Sequence, residues 1–211
     1  MGAVVSAIRH VQPDASIYVV DDGSSDGGGT VAAAASATVL AHDRNLGKGA
    51  ALATGIDQAV ADGARLLATL DADGQHPPEL LPKLTEPLRR GEADLVLGAR
   101  VRAGSMPLGR RATNWLSAAV ASRVAGVRIP DAQTGYRAFT SNLACALRPR
   151  LAAYRGYDFE AVFLLAALRA GFRVMSIDVP TIYNGSLSYF RHWGDGWKVA
   201  RVFARYLRGA A

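Results

Sequence analysis

Residues 66–81 read LLATLDADGQHPPELL and place a short apolar run, two carboxylates and a proline pair in immediate succession. The apolar residues before Asp71 predict a buried strand. The prolines predict a helix that begins near Pro78, because proline is tolerated in the first turn of a helix. A strand, a polar loop and a helix in this order are typical of one unit of an α/β domain.

The rest of the chain repeats this alternation. Apolar segments predict strands at residues 16–20, 37–41, 65–70, 93–99 and 172–179, and helical stretches at 2–12, 48–62 and 78–90. Such alternation predicts an α/β fold with a mostly parallel central sheet. Ligands of these sheets bind beyond the carboxyl ends of the strands, so the residues after each strand are the first candidates for a site.

Composition and charge limit the possible functions. The chain has 211 residues, half of them hydrophobic and 20% charged, which suits one compact domain with its own core and excludes disorder throughout. No uninterrupted apolar run reaches the roughly 20 residues of a membrane-spanning helix. The single cysteine, Cys145, excludes an intramolecular disulfide and agrees with a reducing cytoplasm.

The basic excess predicts an anionic partner. Lys and Arg number 24 against 18 Asp and Glu, for a net charge of +6. A phosphorylated substrate or an acidic lipid surface would satisfy this charge. We expect no nucleic acid as partner, because the acids at the predicted strand ends would repel a phosphate backbone and no nucleic-acid-binding motif is present.

The two acids after the third strand are candidate metal ligands. Asp71 and Asp73 flank Ala72, so an extended backbone would place both side chains on the same side. Mg²⁺ and Mn²⁺ favour a few protein carboxylates together with water and substrate phosphates. Gln75 or His76 could add a ligand, although His76 before two prolines is expected to be structural. Surface turns also contain Asp-x-Asp, and the position after a buried strand favours the metal site.

Two glycine-rich segments allow more than one interpretation. Residues 21–30, DDGSSDGGGT, are not a dinucleotide fingerprint, and residues 44–52, RNLGKGAAL, are not a phosphate loop because Gly49 follows Lys48 where Ser or Thr is required. The helix start at Lys48 could bind an anion or allow the close approach of another segment. Both alternatives stay open at this point.

Six motifs in order resemble the family 2 glycosyltransferases. They are VVDDGSSD (19–26), RNLGKGAAL (44–52), LDADGQHPPE (70–79), GAR (98–100), DAQTGYRAF (131–139) and YDFEAVFLLAALRAGFRV (157–174). Within the family the sequence is most similar to the branch of dolichyl-phosphate mannose synthase and the bacterial polyprenyl-phosphate glycosyltransferases. The resemblance implies a GT-A fold over residues 1–187, a nucleotide-diphosphate sugar donor, and Mg²⁺ or Mn²⁺ as cofactor.

The resemblance also assigns expected roles to individual residues. The residues that correspond to the donor site are Asp21, Asp22, Gly23, Asn45, Lys48, Asp71, Ala72 and Arg100, and those that correspond to the metal site are Asp71, Asp73 and Gln75. Arg100 is expected near the donor phosphates and Asp131 near the reacting sugar, as the two catalytic candidates. Asp131 would act as the base if the acceptor were a hydroxyl. The acceptor phosphate would bind Arg110, Arg111 and Arg137.

The two ends of the chain carry further expectations. Members of the family usually begin with a strand that packs beside the nucleotide base, whereas this sequence begins in the helix that should follow it, so a truncated or missing first strand is expected. Residues 188–211 form a basic, aromatic segment that is expected to be a helix, either at an anionic membrane surface or packed on the core. We expect a cytoplasmic location, peripheral on the inner face of the membrane, with a membrane-protein anchor as a further possible partner.

The resemblance therefore predicts the transfer of a hexose from a nucleotide-diphosphate sugar, of GDP-mannose or UDP-glucose type, to a polyprenyl phosphate. Two alternatives are retained. In the first, a family 2 glycosyltransferase uses a soluble or polysaccharide acceptor. In the second, the chain is an inactive nucleotide-binding or regulatory protein.

Overall fold

The structure is a computed structural model that describes residues 1–100, 118–119, 121–123, 126, 128–156 and 158–180. The α-helices with described bounds are α1 (Gly2–Val11), α2 (Gly28–Ala34), α3 (Lys48–Ala61), α4 (Leu81–Arg89), α5 (Ser141–Leu151) and α6 (Phe159–Arg169). The strands are β1 (Tyr18–Asp21), β2 (Thr38–Ala41), β3 (Leu66–Thr69), β4 (Leu95–Arg100), β5 (Arg137–Thr140) and β6 (Val174–Val179). A short 3-10 turn at Pro78–Leu80 precedes α4.

The strands form two hydrogen-bonded groups. β1 and β2 pair in parallel, and the other four strands form a sheet in the order β3-β5-β4-β6. β5 runs antiparallel to both β3 and β4, whereas β4 and β6 are parallel. β3, β4 and β6 therefore point in the same direction, and their carboxyl ends lie at one edge together with the beginning of β5.

Among the described residues no strand precedes α1, and β1 is not hydrogen-bonded to β3. α3 packs against β1 and also against β3, while α1 packs against α2, the 3-10 turn and α4. Helix packing therefore connects the two groups of strands. All four residues of β1 are half-buried, whereas Leu95–Ala99 of β4 are buried.

Helices cover both faces of the four-stranded sheet. On one face, Leu95, Leu97 and Phe139 belong to a core that also contains residues of α5 and α6. On the other face, Val96 and Ala138 pack with α4. Because neighbouring residues of β4 enter different cores, the strand has no polar residue before Arg100, as expected for a sheet covered on two sides.

The predicted helices at 2–12, 48–62 and 78–90 and the five predicted strands are present, with shifted ends. The structure adds α2, α5, α6 and the antiparallel strand β5, which the patterns did not predict. No helix in the described part of the chain is long and apolar enough to cross a bilayer.

Candidate active site

Polar residues from several elements meet at the edge formed by the carboxyl ends of β3 and β4. Asp71 follows β3, Arg100 ends β4, and Arg137 begins β5 in the opposite direction. Register brings these positions together, because Arg137 lies beside both Thr69 and Leu97. The sheet topology therefore places the acidic loop and two arginines at one edge.

Lys48 connects the acidic loop to α6. Its Nζ lies 2.7 Å from Oδ1 of Asp71 and 2.7 Å from Oε1 of Glu160. Burial alone would lower the pKa of Lys48, but the two carboxylates outweigh it and raise this pKa above its usual value. Burial would likewise raise the pKa of Asp71, yet Lys48 and other nearby cations hold it below its usual value. Lys48 and Asp71 are therefore both charged at neutral pH.

Glu160 is a site residue that the sequence analysis missed. It lies in the first turn of α6, and its side chain is 7% exposed. The signal was present, because Glu160 is the only acidic residue in FEAVFLLAALR, a helix otherwise apolar up to its final arginine. An acid buried in such a helix requires a charged or hydrogen-bonding partner.

Arg100 and Asp131, the two catalytic candidates, are paired with each other. Arg100 donates from Nε to Oδ2 of Asp131 at 2.6 Å and from Nη2 to Oδ1 at 3.2 Å. Asp131 is buried, and its Oδ1 also accepts a hydrogen bond from the backbone N–H of Gln133. Burial would raise the pKa of Asp131, but Arg100 and this amide hold it below its usual value. A carboxylate whose pKa is lowered in this way is a weaker general base near neutral pH than an ordinary carboxylate.

Arg137, which is expected to contact the acceptor phosphate, is buried and hydrogen-bonded to backbone carbonyls. The residue is 3% exposed, and its guanidinium donates to the backbone carbonyls of Thr134, Glu160 and Ala132. These three bonds join the loop before β5 to the start of α6. Arg137 therefore cross-links these two segments, and its contact with an acceptor phosphate stays a prediction.

A buried stack of two rings, His76 and Tyr136, supports the acidic loop that carries Asp71 and Asp73. His76 stacks on Tyr136 with ring centroids 5.1 Å apart, and its Nδ1 accepts a bond from the backbone N–H of Asp71 at 3.4 Å. The Tyr136 hydroxyl donates to the carbonyl of Pro77. Both interactions fix the loop, so the expectation of a structural His76 agrees with its environment.

The acidic loop fits a divalent cation with an incomplete protein shell. A Cβ at Gly135 would lie 2.7 Å and 2.9 Å from the two carboxylate oxygens of Asp71, so the glycine keeps that space free of a side chain. Asp73 is exposed, and its Oδ1 accepts the N–H of Gln75. The described residues contain no group of three or more His, Cys, Asp or Glu side chains that could hold a metal alone. Two carboxylates suit Mg²⁺ or Mn²⁺, which take further oxygens from water and phosphate.

Asp22 organises the loop before α3. Its carboxylate accepts the backbone N–H groups of Leu46 and Gly47 at 2.8 Å each and contacts Nδ1 of His42 at 2.6 Å. The other ring nitrogen of His42 lies 2.9 Å from Oγ1 of Thr54. Burial would raise the pKa of Asp22, but His42 and the two amides keep it lowered. Asp22 thus fixes the segment that carries Asn45 and Lys48. The sequence did not predict this role, which is separate from the expected contact of Asp22 with the donor.

The remaining donor-site candidates lie at the end of β1 or on loops. Asp21 accepts the N–H of Ser24 at 2.8 Å. Gly23 has φ +72°, and a Cβ there would lie 2.6 Å from the backbone of Arg44. Asn45 and Ala72 are exposed and open to a ligand. Arg110, Arg111 and residues 188–211 lie outside the described residues.

The glycines around Lys48 allow a close approach of backbone. The N–H groups of Gly49 and Ala50 donate to the carbonyl of Arg155, at 2.8 Å and 3.4 Å. A Cβ at Gly47 or Gly49 would collide with the backbone carbonyl of Arg155 or of Tyr154, respectively. The close-approach alternative is therefore confirmed, and these two amides are occupied by protein.

Comparison with known proteins agrees with this geometry. Residues 2–150 match the family model described as glycosyl transferase family 2. The undecaprenyl-phosphate mannosyltransferase of Micrococcus luteus is 32% identical over 184 residues, which cover 83% of this chain and 75% of that protein. The polyprenol monophosphomannose synthase of Mycolicibacterium smegmatis is 30% identical over 186 residues, covering 83% and 70%.

Solved structures share the fold. Glucosyl-3-phosphoglycerate synthase from Mycobacterium tuberculosis superposes with a TM-score of 0.75 at 21% identity, over 96% of this chain and 74% of that one. The same enzyme in complex with Mn²⁺, UDP-glucose and phosphoglyceric acid gives a TM-score of 0.73 at 20% identity, with the same coverage. With the family match over residues 2–150, these findings show that the chain belongs to glycosyltransferase family 2 and has a GT-A fold.

Proposed function

We propose that this glycosyltransferase moves a hexose from a nucleotide-diphosphate sugar to a polyprenyl phosphate by direct displacement at the anomeric carbon. The observation that carries the proposal is the cluster of ion pairs at the carboxyl ends of β3 and β4. Lys48 and Arg100 lie there beside the acidic loop that contains Asp71 and Asp73. The named activities of the two mannosyl-transferring relatives support the choice of acceptor.

The donor diphosphate would be held by charge. A divalent cation bound by Asp71 and Asp73 would neutralise the negative charge that develops on the leaving diphosphate. Lys48 and Arg100 provide fixed positive charges at the same edge, already oriented by Glu160 and Asp131. Charges fixed in this way require little reorganisation during the reaction, which is the condition for effective electrostatic stabilisation.

The site favours a phosphate acceptor over a hydroxyl acceptor. A phosphate monoester has its second pKa near 6 and is largely dianionic at neutral pH, so it needs no strong base. Asp131, the candidate base, has its pKa lowered by Arg100 and is poorly suited to remove a proton from a hydroxyl. The roles of Arg110 and Arg111 as ligands of the acceptor phosphate, and the contact of residues 188–211 with a membrane, stay predictions.

The experiment offers labelled GDP-mannose and UDP-glucose separately, with Mn²⁺ and with vesicles that contain polyprenyl phosphate. We expect label in the organic phase for one of the two donors. D71N should abolish the transfer, whereas E86Q, which alters only an exposed pair with Arg90 on α4, should retain it. Label confined to water-soluble products would favour the soluble or polysaccharide acceptor. Nucleotide binding without transfer or hydrolysis would favour the regulatory alternative.

A further inference from the structure

The Lys48 ammonium contacts a carboxylate that the proposed function assigns to a divalent cation. Lys48 Nζ lies 2.7 Å from Oδ1 of Asp71, which is ion-pair distance. Two cations in contact with the same carboxylate repel each other strongly in a partly buried site. Lys48 therefore opposes a divalent cation at Asp71 unless its charge is balanced elsewhere.

Glu160 offers Lys48 a second carboxylate at the same distance. Its Oε1 is 2.7 Å from Lys48 Nζ, and its side chain is nearly buried. Its backbone is fixed as well, because the carbonyl of Glu160 accepts a bond from the guanidinium of Arg137. The carboxylate is therefore held beside Lys48 by the rigid start of α6, independently of the acidic loop.

We propose that Glu160 is a positioning residue that retains Lys48 and thereby makes Asp71 available to a divalent cation. The inference rests on the proposed function, since it takes Asp71 as a metal ligand. Held by Glu160, Lys48 would keep its place beside the acidic loop when the cation binds, and its charge would stay available to the donor diphosphate. Without Glu160, Lys48 would lose this second carboxylate, stay with Asp71 and compete with the cation for it.

A double-mutant cycle on Mn²⁺ affinity tests this role, measured by isothermal titration calorimetry without donor or acceptor. E160Q should weaken Mn²⁺ binding about fivefold or more, within the usual range of coupling between sites. K48M should strengthen Mn²⁺ binding, because the competing cation is gone. In the K48M background, E160Q should change the affinity less than about twofold, because the effect of Glu160 acts through Lys48. Equal weakening in both backgrounds would overturn the proposal and assign Glu160 only a direct attraction to the metal.

A second pair of variants separates charge from packing if K48M proves unstable. E160D keeps the charge and shortens the side chain, whereas E160Q keeps the size and removes the charge. If E160D binds Mn²⁺ with an affinity nearer to that of the parent than E160Q does, the result supports retention of Lys48 by charge. If E160Q is the variant nearer to the parent, the result contradicts it.

D71N serves as the reference that separates this inference from the proposed function. Loss of Mn²⁺ binding in D71N together with parental affinity in E160Q would overturn the role of Glu160 alone. Parental Mn²⁺ affinity in both D71N and D73N would overturn the metal site itself, and this inference with it.

Discussion

At the scale of single residues, the site consists of opposite charges placed in contact. Lys48 pairs with Asp71 and Glu160, and Arg100 pairs with Asp131. A divalent cation and a diphosphate bring charges of opposite sign to this arrangement. Each would meet repulsion from part of the site when it binds alone, and the two together would leave the charge balanced. Donor and metal are therefore expected to bind with positive coupling.

The pair of Arg100 and Asp131 yields a stability prediction. R100Q leaves the Asp131 carboxylate buried without its cation, and removing one partner of a buried pair costs about 3–5 kcal/mol. We expect the free energy of unfolding at pH 7 to fall by this order, measured by urea denaturation. The matched control R148Q removes an exposed arginine paired with Asp57 and should leave stability close to that of the parent. A parental value for R100Q would show that the pair contributes nothing net.

The same pair contributes to the pH dependence of stability, and its sign follows from the lowered pKa of Asp131. The stabilisation is complete above the unfolded-state pKa, near 3.9, and is lost as the pH falls through the lower folded-state pKa. R100Q should therefore lose less stability than the parent between pH 5 and pH 3. If the free energy of unfolding fell equally in R100Q and in the parent between pH 5 and pH 3, Arg100 would not be the cause of the lowered pKa of Asp131.

At the scale of elements, the sequence predicted the segments whose apolar pattern is regular. α1, α3 and α4 combine apolar and polar residues, and β4 has no polar residue before Arg100, so all four were recognised. α6 was not assigned because Phe159–Ala167 are buried almost all round, which removes the helical period from the pattern. β5 was not predicted because Arg137, a charged residue at one of its buried positions, interrupts the apolar pattern of this short strand.

The sequence predicted which residues belong to the candidate site, but not which of them contact each other. Asp71 and Arg100 stood out because they follow predicted strands, and Asp131 was assigned only through the resemblance. Their partners could not be deduced, since Lys48 meets Glu160 only after α3 and α6 have packed. The burial of Arg137 could not be deduced for the same reason, because burial by neighbouring elements is not visible in the sequence.

The start of α3 provides a prediction at this scale. G49A would bring a Cβ to 2.5 Å from the carbonyl oxygen of Tyr154 and displace the backbone that covers the helix start. We expect a lower melting temperature and weaker donor binding, because Lys48 precedes this glycine. G55A on the same helix is the control, since its Cβ would meet only the side chain of Val20 at 3.2 Å. Parental stability and donor affinity in G49A would show that the covering backbone adjusts without cost.

At the scale of the whole molecule, the strands differ in how they are supported. β4 is hydrogen-bonded to β5 on one side and β6 on the other, and its residues are largely buried. β1 is bonded to β2, and no strand pairs with its other side in the described part of the chain. The two groups of strands are joined by helix packing and not by hydrogen bonds between strands, so we expect the pair β1–β2 to open while the four-stranded sheet stays intact.

Hydrogen exchange measured by mass spectrometry tests this difference. Amides of Tyr18–Asp21 should exchange about tenfold or more faster than those of Leu95–Arg100, after correction for intrinsic rates, because local opening of a strand supported on one side costs less free energy than opening the centre of a sheet. Asp21 and Asp22 lie at the end of β1, so donor with Mn²⁺ should slow the exchange of β1 and leave β4 unchanged. Equal rates for the two strands without ligand would mean that β1–β2 opens only with the whole domain.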